Sequence, residues 1–385
     1  MAISLTTRIQ WLEVPKGSRM LAVSDIHGHC QHLRRLLTMA EFSEKDILFI
    51  VGDIVEKGPE SLKTLRYVMD LCERYQVYPS IGNVDQRRVQ RLEDLTLEGA
   101  QVLLEDIKYR RIHWGSSLFK EMCREQGLPC ETVEEVRSSQ PEVLCRYEKE
   151  LDFLRSLPTI IETRNFTFVH SGLPQADIRE LEGTPSRSCL KVSAFLDKGL
   201  SFPKWVVVGH WPVCLYDGRR IQSNPIFLPE RKIISMDGGC GLKSDGQLNL
   251  LIIPDQDADT DQITHLYYDG FPLARALDVQ EESRDSINIR FIDNQVEVLA
   301  TEEDFCQIRH CSSGHVLWVP EDILYMRNGV LVCDDFSDYR LPVKPGDVLA
   351  IFRKTSRGYL VKKDGVSSWY EGRLERIGKG REDAL

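Results

Sequence analysis

Six side chains, Asp25, His27, Asp53, Asn83, His170 and His210, are good ligands for a hard or borderline metal ion, and each follows closely on a short apolar run. The runs are Leu21 to Val23, Ile47 to Val51, Val77 to Ile81, Phe166 to Val169 and Trp205 to Val208. Each reads as a buried strand, because apolar and β-branched residues stop abruptly at Gly, Asp, Asn or His. Ligands at the carboxyl ends of successive strands converge on one edge of a sheet, where α/β folds build their sites. Two metal ions about 3.5–4 Å apart, sharing one carboxylate, are a recurrent device for phosphoester hydrolysis. Asp53 is the natural bridge. Asp25 and His27 would hold the first ion, and Asn83, His170 and His210 the second. The mixed His, Asp and Asn set suits manganese, iron or zinc better than calcium or magnesium.

The elements that must position these residues alternate along the chain. Gln31 to Ala40 and Ser61 to Cys72 carry apolar residues at spacings of three and four, as amphipathic helices do. Strand, helix and strand in turn predict an α/β fold with a largely parallel sheet sandwiched by helices. Helical periodicity in Ala100 to Ile107 and Leu144 to Leu157 predicts a helical cap over about residues 95–160. Ile233 to Met236 and Leu248 to Ile253, separated by Asp237 to Gly241, read as two more strands joined through a turn. The metal-binding domain is expected over 1–255, with a linker over 256–285 that opens on the acidic stretch Pro254 to Asp261. Beyond it, Phe305 to Ile308 with Trp318 and Tyr359 to Lys362 with Trp369 form two weakly similar units of aromatic strand, tight turn and Trp strand. They resemble small Src-homology-three-like barrels, expected at 286–330 and 331–378, with a peptide or protein as the partner the resemblance implies.

Composition narrows the function classes. A chain of 385 residues suggests two or three domains, and 42 % hydrophobic with 28 % charged residues suits a globular protein. No apolar stretch approaches the ~20 residues of a membrane span, and Met1 to Gln10 lacks a hydrophobic signal core, so a cytoplasmic setting is expected. The 11 cysteines are scattered without a CxxC pair, which reads as free thiols. Cys306, His310, Cys311 and His315 superficially resemble a zinc spacing, but strand alternation separates Cys311 from Cys306 and His310. A net charge of −10 argues against a nucleic-acid duplex as partner while leaving room for a small phosphorylated substrate.

The order Ser24-Asp25-Ile26-His27-Gly28, Gly52-Asp53 to Gly58, Gly82-Asn83, His170-Ser171-Gly172 and Gly209-His210 resembles the calcineurin-like metallophosphoesterases. It is nearest the phosphoprotein phosphatase branch, which also holds the bacterial diadenosine tetraphosphatases. The tail Met236 to Gly241 followed by Leu248 to Leu250 looks like that branch's closing strand pair. The resemblance implies a four-layer α-β-β-α sandwich with metals at the sheet edge. It also implies hydrolysis by a metal-bound hydroxide of a phosphoprotein, a nucleotide polyphosphate or another phosphoester.

Three positions depart from the family pattern. Val84 stands where an imidazole usually serves as general acid, and Glu56-Lys57 stands where Asp orients that imidazole and Arg clamps the phosphate. Trp211 replaces a usual Thr, and the Arg expected upstream has only Arg187 and Lys191 nearby. Asp53, Glu56, Lys57, Asp85 and Arg87 are the candidate catalytic residues, with Asp237 and Glu56 as carboxylate partners for the ligands. General-acid help is worth ~10²–10⁴ in rate, so its loss favours substrates whose leaving group needs little protonation. The alternative is a weakly active or inactive relative that binds a partner through its C-terminal barrels.

Overall fold

The computed structural model describes residues 3–113 and 115–377, and these divide into two compact units. The first takes residues up to 212, then 225–242 and 246–268. Its strands are β1 (Ile9–Trp11), β2 (Met20–Val23), β3 (Ile47–Val51), β4 (Gln76–Ser80), β5 (Ile160–Glu162), β6 (Phe166–Val169), β7 (Trp205–Val208), β8 (Ile226–Leu228), β9 (Ile233–Ser235), β10 (Leu248–Ile253) and β11 (Thr264–Tyr268). They form two sheets, ordered β11-β10-β2-β3-β4 and β1-β5-β6-β7-β9-β8. The β2-β3-β4 ladder is parallel, whereas β10 joins β2 and β11 joins β10 antiparallel.

Alternation along the strands explains how the sheets pack. Met20 and Ala22 of β2 and Ile47, Phe49 and Val51 of β3 share a core with Phe166, Phe168, Val207 and Ile234 of the second sheet. Phe49 stacks on Phe168 with ring centroids 3.9 Å apart. The alternate residues Leu21, Val23, Leu48 and Ile50 face a second core. That core takes the apolar faces of α1 (Cys30–Met39) and α2 (Ser61–Arg74), through Leu33, Leu36, Leu65 and Val68.

Between β4 and β5 run α3 (Asn83–Glu93), α4 (Leu97–His113), α5 (Leu118–Gln126), α6 (Val133–Arg146) and α7 (Glu148–Ser156). Leu103, Phe119, Met122, Val136 and Leu151 of these helices belong to the same core as α1 and α2. The cap is therefore continuous with the body of its unit. Thr132 and Glu135 form a capping box that starts α6, and Gly127 ends α5 in a left-handed turn at φ 66°.

The two strands expected around Asp237 to Gly241 are β9 and β10, the first in the six-stranded sheet and the second in the five-stranded one. One expectation needs correction here. The stretch 256–285, expected as a linker, holds β11 and the strand Leu273–Ala276. Its acidic opening hid the alternating Thr264–Tyr268 behind it, which pairs along the free edge of β10.

The second unit comprises 213–224, 243–245 and the chain from 269 onward, and its described part is built of β-sheets. A three-stranded antiparallel sheet takes Val296–Glu302, Phe305–His310 and Val316–Pro320. A five-stranded sheet takes Val348–Thr355, Gly358–Lys363 and Val366–Tyr370 with Leu273–Ala276 and Leu374–Arg376. Both repeat-like segments contribute to one cluster, while Val361 and Tyr370 of the second belong to another core with Leu341 and Leu349. Trp369 packs against Phe305, centroids 5.9 Å apart, and joins Leu360, Ile308, Val319 and Phe336 in one cluster.

Candidate metal centre

The ligand candidates sit where strands end, but two sheets supply them rather than one. Asp25, Asp53 and Asn83 follow β2, β3 and β4 of the five-stranded sheet, and His170 and His210 follow β6 and β7 of the other. Four of the six lie in the left-handed region: Asp25 at φ 53°, His27 at 49°, Asp53 at 52° and His210 at 68°. Such turns are strained for a residue with a side chain and persist only where the surroundings over-determine them. The surroundings are tight. A Cβ on Gly82 would lie 2.1 Å from Asp53 Oδ1, and one on Gly209 would lie 2.1 Å from Asp25 Oδ2. These glycines let one strand end press against the carboxylate of another.

Asp25, His27 and Asp53 are buried, and one ligand atom of each falls within 4.8 Å of the others. His27 Nε2 lies 3.7 Å from Asp25 Oδ1 and 3.6 Å from Asp53 Oδ2. On the other side of Asp53, His170 Nε2 lies 3.5 Å from Oδ1. His170 Nδ1 is 3.0 Å from the Val51 carbonyl and His27 Nδ1 is 3.4 Å from the Val55 carbonyl. Each carbonyl holds the ring proton on Nδ1, leaving the Nε2 lone pair directed at the carboxylates, as metal-binding imidazoles require. His170 Nε2 then faces Asn83 Oδ1 at 3.0 Å. With the proton on Nδ1, a cation held by both atoms would use both of these lone pairs. The donor set therefore fits a metal ion at Asp25, His27 and Asp53, and its geometry continues to Asn83 and His170. His210 closes the group, its ring 5.1 Å from that of His170 and its backbone N–H donating to Asp25 Oδ2 at 2.9 Å.

Electrostatics keep the His27 and His210 imidazoles neutral. Burial, then the Lys57 ammonium, pushes His27 well below its ordinary value. Burial, then His170, lowers His210 to about 3. Burial, then Asp237 and Asp53, raises the Asp25 carboxyl well above the usual range, a repulsion a cation would relieve.

The remaining candidates divide. Lys57 is turned inward by φ 62° and sets Nζ 3.0 Å from His27 Nε2. Arg87 lines a cavity of about 330 Å³ with Asn83, Gln86, Arg187 and Lys191. Asp85 does not face this cavity's chemistry. Its Oδ1 accepts from the N–H groups of Ile54 (3.0 Å) and Val55 (3.1 Å), and its Oδ2 from Gly82 (3.0 Å). Glu56 is also turned away, with no exposed surface, into Arg88 and Arg110. Asp237 accepts from Gly239 N–H at 2.8 Å, while backbone carbonyls orient the two imidazoles. Val84 is 2 % exposed and gives its N–H to Asp53 Oδ1 at 2.8 Å. Arg88, which the sequence offers beside Arg87 as a solvated residue or a phosphate contact, instead turns into Glu56 and Asp106, and sequence reading missed Asp106 and Arg110, whose helical spacing reads equally well as a solvated face.

A two-sheet α/β body with a histidine–carboxylate centre at its strand ends defines a metallophosphoesterase. The calcineurin-like phosphoesterase family model matches residues 18–214, just over half of the sequence, and the chain belongs to that family. It is 55 % identical over 64 residues to a symmetrical bis(5'-nucleosyl)-tetraphosphatase of Aeromonas salmonicida, covering 16 % of this chain and 23 % of that protein. With the Legionella pneumophila (strain Lens) protein of the same name it shares 34 % over 122 residues, 29 % of this chain and 40 % of that one. The aligned segments thus span less than half the length of these relatives. Among solved structures, a protein serine/threonine phosphatase from Saccharomyces cerevisiae aligns over 69 % of this chain and 84 % of its own, at 11 % identity and a TM-score of 0.39. A cold-active protein-tyrosine phosphatase of Shewanella aligns over 69 % and 83 %, at 15 % identity and a TM-score of 0.37.

Proposed function

We propose that the chain is a binuclear-metal-dependent phosphoester hydrolase in which Asp53 is shared between two divalent or trivalent ions, of manganese, iron or zinc. Asp25 and His27 complete one side, and Asn83, His170 and His210 the other. The observation that carries this reading is the set of four left-handed ligand candidates pressed together at strand ends, since strain of this kind clusters at functional sites. When bound, the ions supply Lewis acidity and lower the pKa of a coordinated water.

The chain's own groups would do the rest. Arg87, Arg187 and Lys191 around the cavity beside Asn83 provide positive charge for phosphate oxygens. Lys57 adds an ammonium beside His27. Protonating the leaving oxygen is another matter, because Val84 is apolar and the carboxylates of Asp85 and Glu56 are engaged in buried contacts. Phosphoanhydrides and aryl phosphates leave readily without that help, so a nucleoside polyphosphate or an aryl phosphate suits this site better than an alkyl phosphoester. The names of the bacterial relatives support the phosphoanhydride class.

The deciding experiment is turnover of a dinucleoside polyphosphate, p-nitrophenyl phosphate and a phosphoserine peptide, with manganese and with chelator. The expected result is chelator-sensitive hydrolysis in that order of rate. A protein that binds manganese but turns over none of the three would instead be a binding protein. Val84 favours that second reading, in which the C-terminal β unit holds a peptide or protein partner.

A further inference from the structure

The turn that carries Asp53 is held by a ring of four buried charges, which the half-buried Arg91 joins through Asp106 Oδ1. Arg88 of α3 sets its Nε 2.6 Å from Glu56 Oε1 and pairs through Nη2 with Asp106. Arg110 of α4 sets Nη1 3.1 Å from Glu56 Oε2 and Nε 2.9 Å from Asp106 Oδ2, one helical turn away. Each guanidinium bridges both carboxylates. The side chains of Glu56, Arg88, Arg110 and Asp106 are 0 %, 1 %, 4 % and 10 % exposed. Leu118 N–H at the start of α5 also donates to Glu56 Oε1, at 3.0 Å.

Desolvating four ions is expensive, and well-packed apolar side chains stabilise such a place equally well or better. What apolar side chains cannot do is fix a direction. Glu56 lies three residues beyond Asp53, and Asp53, Glu56 and Lys57 are all left-handed, at φ 52°, 71° and 62°. Asp85 pins this turn from one side through Ile54 and Val55 N–H, and the ring pins it from the other through Glu56.

On the reading of Asp53 as the shared metal ligand, we propose that Arg88 and Arg110 are positioning residues. The ring locks the 53–57 turn to α3 and α4, so the aim of Asp53 depends on a cap helix that carries none of the ligand candidates. The contacts to Glu56 are close ion pairs, whereas those to Asp106 are hydrogen bonds, and a guanidinium has the reach and the donors to engage both carboxylates at once where an ammonium does not.

The test compares full-length wild type with Arg110→Gln, Arg110→Lys and the double variant Asp106→Asn/Arg110→Gln. Manganese affinity is read by titration calorimetry, kcat and KM with p-nitrophenyl phosphate, and helix content by circular dichroism. Arg110→Gln is expected to lower manganese affinity and kcat by about 10–100-fold, the range typical of groups that orient metal ligands. KM and helix content should stay near wild type. Lys at the same position should not restore either loss. The double variant removes one charge of each sign, so it tests the ring even where the single variant fails to fold, and the same losses are expected. Wild-type manganese affinity and kcat in the double variant, or full restoration by Lys, would overturn the proposal. A wild-type protein that binds no manganese would overturn the metal reading itself, whereas active, metal-binding variants would overturn the ring alone.

Discussion

Asp53 faces both histidine-bearing sides of the centre. Its Oδ1 accepts from Val84 N–H and faces His170, while its Oδ2 faces His27. Replacing it by Asn removes the charge shared between both sides, and Asp53→Asn is expected to lose most manganese binding and all measurable hydrolysis. Two equivalents of manganese retained by the variant, counted by elemental analysis, would contradict the shared-ligand role. His210 makes a prediction about acid. Its folded-state pKa is lowered to about 3 from 6.5, by burial and then His170, so below 6.5 the unfolded chain binds a proton that the folded one refuses. Stability must therefore fall as pH drops from about 6.5 toward 3, with this one group contributing up to about 1.4 kcal/mol per pH unit. In chelator, His210→Gln should show a shallower pH dependence of urea unfolding over that window, and an unchanged slope would exclude the effect. That these candidates lie at strand ends was legible in the sequence, because a buried strand that halts at Asp, Asn or His delivers that side chain to the sheet edge, and five such strands do so in turn. The direction of Glu56 was not. A left-handed residue in a turn sends its side chain where neither helical nor strand periodicity can forecast.

Among elements, the apolar strands that lead to the candidates and the first two helices were readable nearly to the residue, while β1, β5, β8 and β11 were not. β3, β6, β7 and β10 begin and end where their apolar runs do. Which strands become neighbours was less readable, because β9 and β10 are each apolar on both faces and fit either sheet. Neighbouring strand ends of the five-stranded sheet must be held together at the centre, and Asp85 does this for the turn after β3 and the start of α3. Its two oxygens satisfy three buried N–H groups, two of them in the turn after β3 and one at the start of α3. Asp85→Ala leaves those donors without partners and is expected to destabilise the fold by about 2–4 kcal/mol. Urea unfolding followed by fluorescence would measure it. A cost under ~1 kcal/mol would mean that water enters and replaces the carboxylate.

For the whole molecule, the boundary falls later than the acidic stretch suggests. A chain ending at residue 261 lacks β11, which pairs with β10 from Leu248↔Tyr268 to Ile252↔Thr264. Truncation after Tyr268 is expected to give a cooperatively unfolding, metal-binding protein, and truncation after Asp261 a less stable one. Equal melting temperatures for the two would show that β11 contributes little to its sheet. The second unit is not a simple appendage, however. Its Asn288 amide donates to the carbonyls of Cys214 (2.9 Å) and Asp217 (2.8 Å), both in the segment 213–224 that the chain lays down before β8. That early segment has a consequence for synthesis. At roughly 5–20 residues per second, it leaves the ribosome several seconds before Asn288 exists to receive it. A nascent chain paused between Tyr268 and Asn288 holds every strand of the first unit with an orphaned loop, the moment at which a chaperone would have most to do.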